Sequence, residues 1–183
     1  SFICSTRFST RSFVNKATFG LYGGKYSSNG RYNVFNEFFG NLTLADSLSP
    51  LLIPYYDLTN HKIEFFKSRH ATQGGIYNYY MKDALMATSA APTYFDPYKL
   101  SSIGDPEHKR STCDGGMFAN NSSLCALAEG YRMYPDASSY FVLSIGTGKS
   151  NREPLEGNST LYWAANAIPD ILVSAPEDIK TYL

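Results

Sequence analysis

The sequence predicts an α/β layered fold, and three observations support this class. The segment YFVLSIGTG is a buried apolar run that ends in a glycine turn, as parallel strands commonly do. The segment TCDGG has the pattern of a second strand that enters a glycine turn. Strong helix formers follow it in SSLCALAEGYRMY, and strands that alternate with helices build a sheet covered by helices.

The first half of the chain predicts one short helix and two strands. Residues 31–39 place apolar side chains at helical spacing and stop before Gly40, a residue that favours a helix end. Residues 51–57 and 62–67 predict two strands joined by a tight turn, in which Asn60 takes the left-handed backbone. Pro54 places the first of these strands at a sheet edge or at a bulge, because proline cannot donate a ladder hydrogen bond.

The second half predicts helices around the two glycine turns. Residues 76–91 contain helix formers and small residues, and Pro92 ends this helix. The helix after TCDGG begins near residues 121–122, where Asn or Ser caps its first turn. Residues 159–183 predict a mostly helical tail. No linker divides the chain, so residues 1–183 predict one domain or part of one.

Composition excludes several classes of function. The 183 residues carry 16 basic and 16 acidic side chains, so no net field gathers a nucleic acid, and we expect no nucleic-acid partner. The three cysteines have no metal-ligand spacing, so we expect reduced thiols and no metal site. No apolar run approaches the roughly 18 residues that a membrane span needs, and no signal-peptide pattern begins the chain. This favours a cytoplasmic or peripheral membrane location.

Three sequence blocks together indicate a family. They are MATSAAPTYF at 86–95, CDGGMFANN at 113–121 and VLSIGTG at 142–148, and LYGGKYSSNGRYNV precedes them at 21–34. In this order and spacing they resemble the second half of the patatin-like phospholipase family, over roughly residues 19–150. The resemblance implies a sheet with helices on both faces, incomplete in this chain, and a Ser–Asp catalytic dyad without a metal or organic cofactor. It also implies a phospholipid or other acyl-ester lipid as substrate, and a transient contact with a membrane surface.

The resemblance assigns the base of this dyad to Asp114 and the adjoining active-site backbone to Gly115 and Gly116. A solvated aspartate is a weak base, so its pKa must rise from about 4 toward neutral, which burial in an apolar site can do. The apolar neighbours Cys113 and Met117 agree with such a site. An isolated Asp-Gly-Gly is most often a plain turn, and the companion blocks are what favour the catalytic role.

No serine in the chain has the flanking glycines of the family's G-x-S-x-G nucleophile motif. Ser89, Ser144 and Ser150 lie in A-T-S-A-A, V-L-S-I-G and G-K-S-N-R. A glycine-rich oxyanion loop is also missing from the pattern. We therefore expect the chain to be part of one patatin-like domain that starts after the nucleophile helix, and to be inactive by itself as a lipid acyl hydrolase.

Several other side chains near these motifs allow both a structural and a functional interpretation. Asn120 and Asn121 follow the glycines and serve more readily as caps and loop hydrogen-bond groups than as substrate contacts. Tyr94 and Phe95 either line an acyl channel or pack in the core. The three histidines lie in polar, loop-like surroundings, which predicts surface positions and no Ser-His-Asp triad.

Parts of the sequence suggest two other functions. A nucleotide-binding loop is suggested by GTGKS at 146–150, but the position of its first glycine is Leu143, so the phosphate cradle is incomplete. The stronger alternative is a catalytically silent patatin-like module that binds a lipid surface or a protein. The sequence indicates neither the lipid head group nor an oligomeric state.

Overall fold

The computed structural model describes residues 23–146, 156–157, 159–164, 168 and 171. These residues form two compact units, which divide between Gly115 and Gly116. The first unit contains the sheet and the residues that pack on it. The second unit contains the helix that follows the Asp-Gly-Gly turn.

Four antiparallel strands form the sheet of the first unit. They are β1 (Leu52–Asp57), β2 (Lys62–Lys67), β3 (Tyr98–Ser102) and β4 (Asp105–Asp114), and their order in the sheet is β2-β1-β4-β3. Each of the pairs β1–β2 and β3–β4 is a hairpin, with local contacts along the chain. The register of the central pair places Tyr55 of β1 directly opposite Asp114 of β4.

Helices cover one face of this sheet. The helix α1 (Asn29–Phe39) packs against α3 (Met81–Thr88), and α3 packs against β1, β3 and β4. A short helix, α2 (Ser68–Ala71), follows β2, and single 3-10 turns lie at Leu44–Asp46 and Gly75–Tyr77. The core between helices and sheet is built from eight buried side chains: Leu44, Tyr55, Phe66, Ala71, Tyr79, Ala84, Ala87 and Leu100.

Several predictions for this unit are confirmed in outline and corrected in detail. The helix at 31–39 and the hairpin of 51–57 and 62–67 form as predicted, and Gly40 ends the helix with φ 48°. The left-handed residue of the hairpin turn is His61, with φ 53°, so the prediction of Asn60 is wrong. The side chain of Asn60 instead donates to the carboxylate of Asp57, which also accepts the main-chain N–H of residue 60.

The position of Pro54 also differs from the prediction. The strand β1 is interior, with β2 on one side and β4 on the other. Pairing with β4 begins at Tyr55, so Pro54 lies just beyond that ladder. A missing main-chain donor therefore removes no hydrogen bond to β4, which explains how a proline fits in an interior strand.

The predicted helix at 76–91 is shorter in the structure. A 3-10 turn at Gly75–Tyr77 precedes α3, which ends at Thr88, four residues before Pro92. The hairpin of β3 and β4 had no counterpart in the prediction, apart from the end of β4 at TCD. The residues of these strands are mostly polar, so the strands lack the apolar alternation that indicates a strand in a sequence.

The second unit contains α4 (Gly116–Ala119), α5 (Ser123–Met133) and the single turn α6 (Thr160–Tyr162). The predicted helix at SSLCALAEGYRMY is confirmed by α5. The predicted strand at 140–148 is wrong for its described part, because residues 140–146 have no strand structure and several of their side chains are exposed. A strand exists only through pairing, and no described strand pairs with these residues. Most of the tail at 159–183 lies outside the described residues.

The described part of the α/β fold is thus a four-stranded antiparallel sheet with helices packed on it. No helix among the described residues is long and apolar enough to cross a membrane.

Candidate active site

Asp114 is the last residue of β4 and lies directly opposite Tyr55. Residues that face each other across antiparallel strands project to the same side of the sheet. Because Tyr55 belongs to the core, the side chain of Asp114 lies on the face that α3 covers. The residue is half-buried, in contrast to Thr112 and Cys113 just before it, which are buried.

The glycine after Asp114 is required by a close approach of two main chains. A Cβ atom at residue 115 would lie 2.2 Å from the carbonyl oxygen of Pro54. Real Cβ atoms do not come this near to a main-chain oxygen, so only glycine fits without a shift of β1 or β4. The first glycine of the Asp-Gly-Gly block thereby lets the end of β4 lie against β1.

The block at 86–95 is attached to the strand ends by two hydrogen bonds. The main-chain N–H of Asp114 donates to the carbonyl oxygen of Ala90 at 3.1 Å. The hydroxyl of Thr88 donates to the carbonyl oxygen of Pro54 at 2.6 Å. Residues 88–95, which run from the last residue of α3 onward and which we call the connecting segment, therefore rest on the part of the sheet that carries Asp114.

Arg31 holds the connecting segment from its other side. Its side chain is buried, with 4% of the residue exposed, although it projects from a surface helix. One terminal nitrogen donates to the carbonyl oxygen and, at 2.6 Å, to the hydroxyl of Ser89. The guanidinium carbon also lies 3.7 Å from the centre of the ring of Phe95, a cation–π geometry.

The charge of Arg31 interacts with Asp114. Burial lowers the pKa of the arginine to about 10, and the carboxylate of Asp114 is the main influence that opposes this shift. The guanidinium stays protonated at neutral pH. Since the attraction is mutual, Arg31 favours the ionised form of Asp114.

Three ionisable groups near Asp114, the hydroxyls of Tyr55 and Tyr98 and the thiol of Cys113, are neutral at physiological pH. Burial raises the pKa of Tyr55 and of Tyr98, and the hydroxyl of Tyr98 donates to Asp83 at 2.6 Å. Burial, assisted by the adjacent Asp114 carboxylate, raises the pKa of the Cys113 thiol to about 11. The charged groups of this region at neutral pH thus include the carboxylates of residues 83 and 114 and the guanidinium of Arg31.

Tyr94 and Phe95 have different surroundings. Tyr94 is 42% exposed and stacks on Tyr26 with ring centres 6.2 Å apart, whereas Phe95 is half-buried beneath Arg31. The main chain of the Lys25–Tyr26 pair donates two hydrogen bonds to residues 93 and 94. Thr93 has φ 68°, which is rare for a β-branched residue and is sustained here by this pairing.

The remaining candidate residues belong to the second unit. Gly116 begins α4, and Asn120 is exposed just after that helix. The side-chain oxygen of Asn121 accepts the main-chain N–H of Ser123 at 3.1 Å, as a capping residue does at the start of a helix. The interpretation of Asn121 as a cap agrees with this contact, while the role of Asn120 stays a prediction.

Metal and histidine chemistry have little support in this part of the chain. The described residues contain no group of three or more His, Cys, Asp or Glu side chains that could hold a metal ion. His61 and His108 are exposed as predicted, and His70 is half-buried with its ring 5.8 Å from that of Tyr77.

Arg31 is the site residue that sequence reasoning missed. The apolar spacing of residues 31–39 predicted a helix with an apolar buried face, yet the buried residue of α1 is this arginine. The one signal available was a charged residue at a core-facing position of a helical pattern. Its partners Met86 and Ser89 lie 55 and 58 residues along the chain, and no local pattern reveals them.

Together these features define an α/β domain whose candidate catalytic carboxylate ends the strand β4 and is joined to the block at 86–95 by a main-chain hydrogen bond. A family model, patatin-like phospholipase, matches residues 3–123, and the chain belongs to this family. The family is generally hydrolytic and acts on lipids.

Curated plant relatives agree with this membership. Patatin-like protein 4 of Arabidopsis thaliana is 30% identical over 149 residues, which cover 75% of the chain and 37% of that protein. Patatin-like protein 3 of the same plant is 28% identical over 156 residues, covering 77% of the chain and 36% of that protein. Probable inactive patatin-like protein 9, also from Arabidopsis thaliana, is 28% identical over 146 residues, covering 75% and 38%. The chain thus spans about a third of the length of these relatives.

Proposed function

We propose that this chain is the base-bearing part of a lipid acyl hydrolase of phospholipase A type, which hydrolyses phospholipids or other acyl-ester lipids. The observation that carries the proposal is the hydrogen bond from the main chain of Asp114 to Ala90. It joins the two most specific blocks of the sequence at the end of one strand. Family membership supports the same activity.

The proposed chemistry needs a serine from outside these 183 residues. Asp114 accepts the proton of its hydroxyl while the serine oxygen bonds to the ester carbonyl carbon. Collapse of the tetrahedral intermediate breaks the bond to the alcohol oxygen, which leaves with the proton, and an acyl-enzyme remains. Asp114 then takes a proton from water as the water oxygen bonds to the acyl carbon. The second tetrahedral intermediate collapses by breaking the bond to the serine oxygen, which takes the proton back from Asp114, and the fatty acid is released.

A catalytically silent module is the second candidate function. It is favoured by the absence of a G-x-S-x-G motif from the chain and by a relative that is itself named probable inactive. Such a protein would bind a lipid surface or a protein partner without turnover. The two candidates differ in whether the full-length protein contains the nucleophile motif and releases fatty acid.

The decisive experiment is Asp114→Asn in the full-length protein. We expect fatty-acid release from phospholipid vesicles to fall to background, because an amide cannot accept the serine proton. Circular dichroism and the urea midpoint should stay close to wild type. The matched control is Asp105→Asn at the other end of β4, where a half-exposed carboxylate is far along the strand and activity should persist. Normal turnover of the Asp114 variant refutes the proposed base.

The 183-residue chain provides a second test. Incubated alone with a short-chain acyl ester, it should release no acid above the rate of a heat-denatured sample. Turnover that is lost on treatment with a serine-directed phosphonate would show that the chain contains its own nucleophile, contrary to the proposal.

A further inference from the structure

Arg31 is placed to control Asp114 through the connecting segment. Its guanidinium binds the hydroxyl and carbonyl groups of Ser89, and the next carbonyl along the chain, that of Ala90, accepts the main-chain N–H of Asp114. Arginine and aspartate are therefore attached to neighbouring peptide units of one short segment. A displacement of the arginine changes the support of the aspartate directly.

The attachments of Arg31 are numerous and mostly neutral. Besides Ser89, its terminal nitrogens donate to the hydroxyl of Ser28 at 3.2 Å and to the carbonyl oxygen of Met86 at 3.5 Å. The ring of Phe95 covers the guanidinium plane. A buried arginine with neutral partners retains an unneutralised charge, whose field extends to nearby carboxylates.

We propose that Arg31 is a positioning residue for Asp114: it holds the connecting segment that supports the main chain of Asp114, and its buried positive charge stabilises the carboxylate. This inference rests on the proposed function in that a base must be ionised before it can accept a proton. It adds a residue that sets the pH range of the dyad.

The ionisable groups around Asp114 on the neighbouring elements are neutral, acidic or basic. Tyr55 on β1, Tyr98 on β3 and Cys113 on β4 are protonated and uncharged at neutral pH, since burial raises the pKa of each. Asp83 on α3 carries a charge of the same sign as Asp114 and accepts the hydroxyl of Tyr98. Arg110 on β4 is a second positive charge, which hydrogen-bonds to Tyr55 and lies 4.0 Å from the carboxylate of the buried Asp57. The side-chain hydrogen bonds of Arg31 go instead to neutral groups.

Three variants of the full-length protein separate charge from position. Arg31→Gln keeps hydrogen-bonding groups but removes the charge, and Arg31→Lys keeps the charge but loses the fork that reaches several acceptors at once. Lys109→Met is the control, because it removes a positive charge from an exposed site on the same strand as Asp114. Circular dichroism and urea unfolding establish which variants are folded.

The first readout is the carboxyl titration of Asp114 by carbon-13 NMR, with the resonance assigned by its loss in Asp114→Asn. We expect the glutamine variant to shift the titration midpoint to higher pH and the lysine and Lys109 variants to leave it near wild type. A folded glutamine variant with an unchanged midpoint overturns the inference. This readout does not depend on turnover, so it holds even if the protein proves to have no hydrolase activity.

The second readout is kinetic. In the glutamine variant the acid limb of the kcat/KM profile should move to higher pH together with the NMR midpoint. In the lysine variant we expect kcat to fall about tenfold or more with little change in KM or in the limb, because small displacements of a catalytic group are costly. A lysine variant with wild-type kcat contradicts the positioning role. This test remains valid if the glutamine variant does not fold. Failure of the proposed function has a different signature, namely activity that survives Asp114→Asn.

Discussion

The main-chain N–H of Asp114 donates to the carbonyl oxygen of Ala90 at 3.1 Å, although the two residues are 24 positions apart in the chain. Ala90 is buried, with 1% of its surface exposed, so this bond is shielded from water. It explains why the T-S-A-A-P and D-G-G blocks occur together, because Ala90 of the first block accepts the main-chain hydrogen bond of Asp114 in the second. A change in either block is expected to reach the candidate base through this contact.

The first prediction concerns the close approach at Gly115. A Cβ atom at this residue would lie 2.2 Å from the Pro54 carbonyl oxygen, so Gly115→Ala forces β1 and β4 apart. We expect a loss of about 1–3 kcal/mol in the free energy of unfolding, the usual scale of overpacking. Urea denaturation measures it. Gly74→Ala is the matched control, because nothing lies within 4 Å of the added carbon there. Equal effects at both glycines would contradict this explanation.

A second prediction tests the other attachment of the connecting segment. Thr88→Val keeps the shape of the side chain but removes the hydroxyl that donates to Pro54 at 2.6 Å. Because that bond is partly buried, we expect a loss of about 1 kcal/mol in the free energy of unfolding. Thr72→Val removes a comparable but exposed bond to the carbonyl of Arg69 and should change stability less. The same loss in both variants would count against a supporting role for Thr88.

The third prediction is a dependence of stability on alkaline pH. Burial raises the pKa of Cys113 from 9.0 to about 11, so the unfolded chain loses this proton before the folded protein does. The thiol therefore contributes stability that is fully present below pH 9 and is lost as the pH rises toward 11. Urea midpoints measured across this range should fall less steeply in Cys113→Ala than in wild type. Parallel curves for the two proteins would show that the thiol is not responsible.

Local patterns in the sequence account for much of the fold and for part of the site. The helix before Gly40, the hairpin at 51–67 and the strand end at Asp114 follow from periodicity, glycine and proline, all of which act over a few residues. The hairpin of β3 and β4 was missed because its strands are polar on both faces. Arg31 was missed for a different reason, since its burial depends on tertiary partners that no local pattern encodes.

The strand predicted at 140–148 shows the opposite failure, and it yields the last prediction. Phe141, Leu143 and Ile145 are exposed by 90%, 70% and 84%. An apolar, unpaired segment of this kind promotes association between chains. We expect the 183-residue chain to form larger species as its concentration increases, as measured by size-exclusion chromatography with light scattering. Leu143→Lys should suppress this association, whereas Leu48→Lys, at an isolated exposed leucine outside the segment, should not. Association that persists unchanged in Leu143→Lys would assign the contact to another surface.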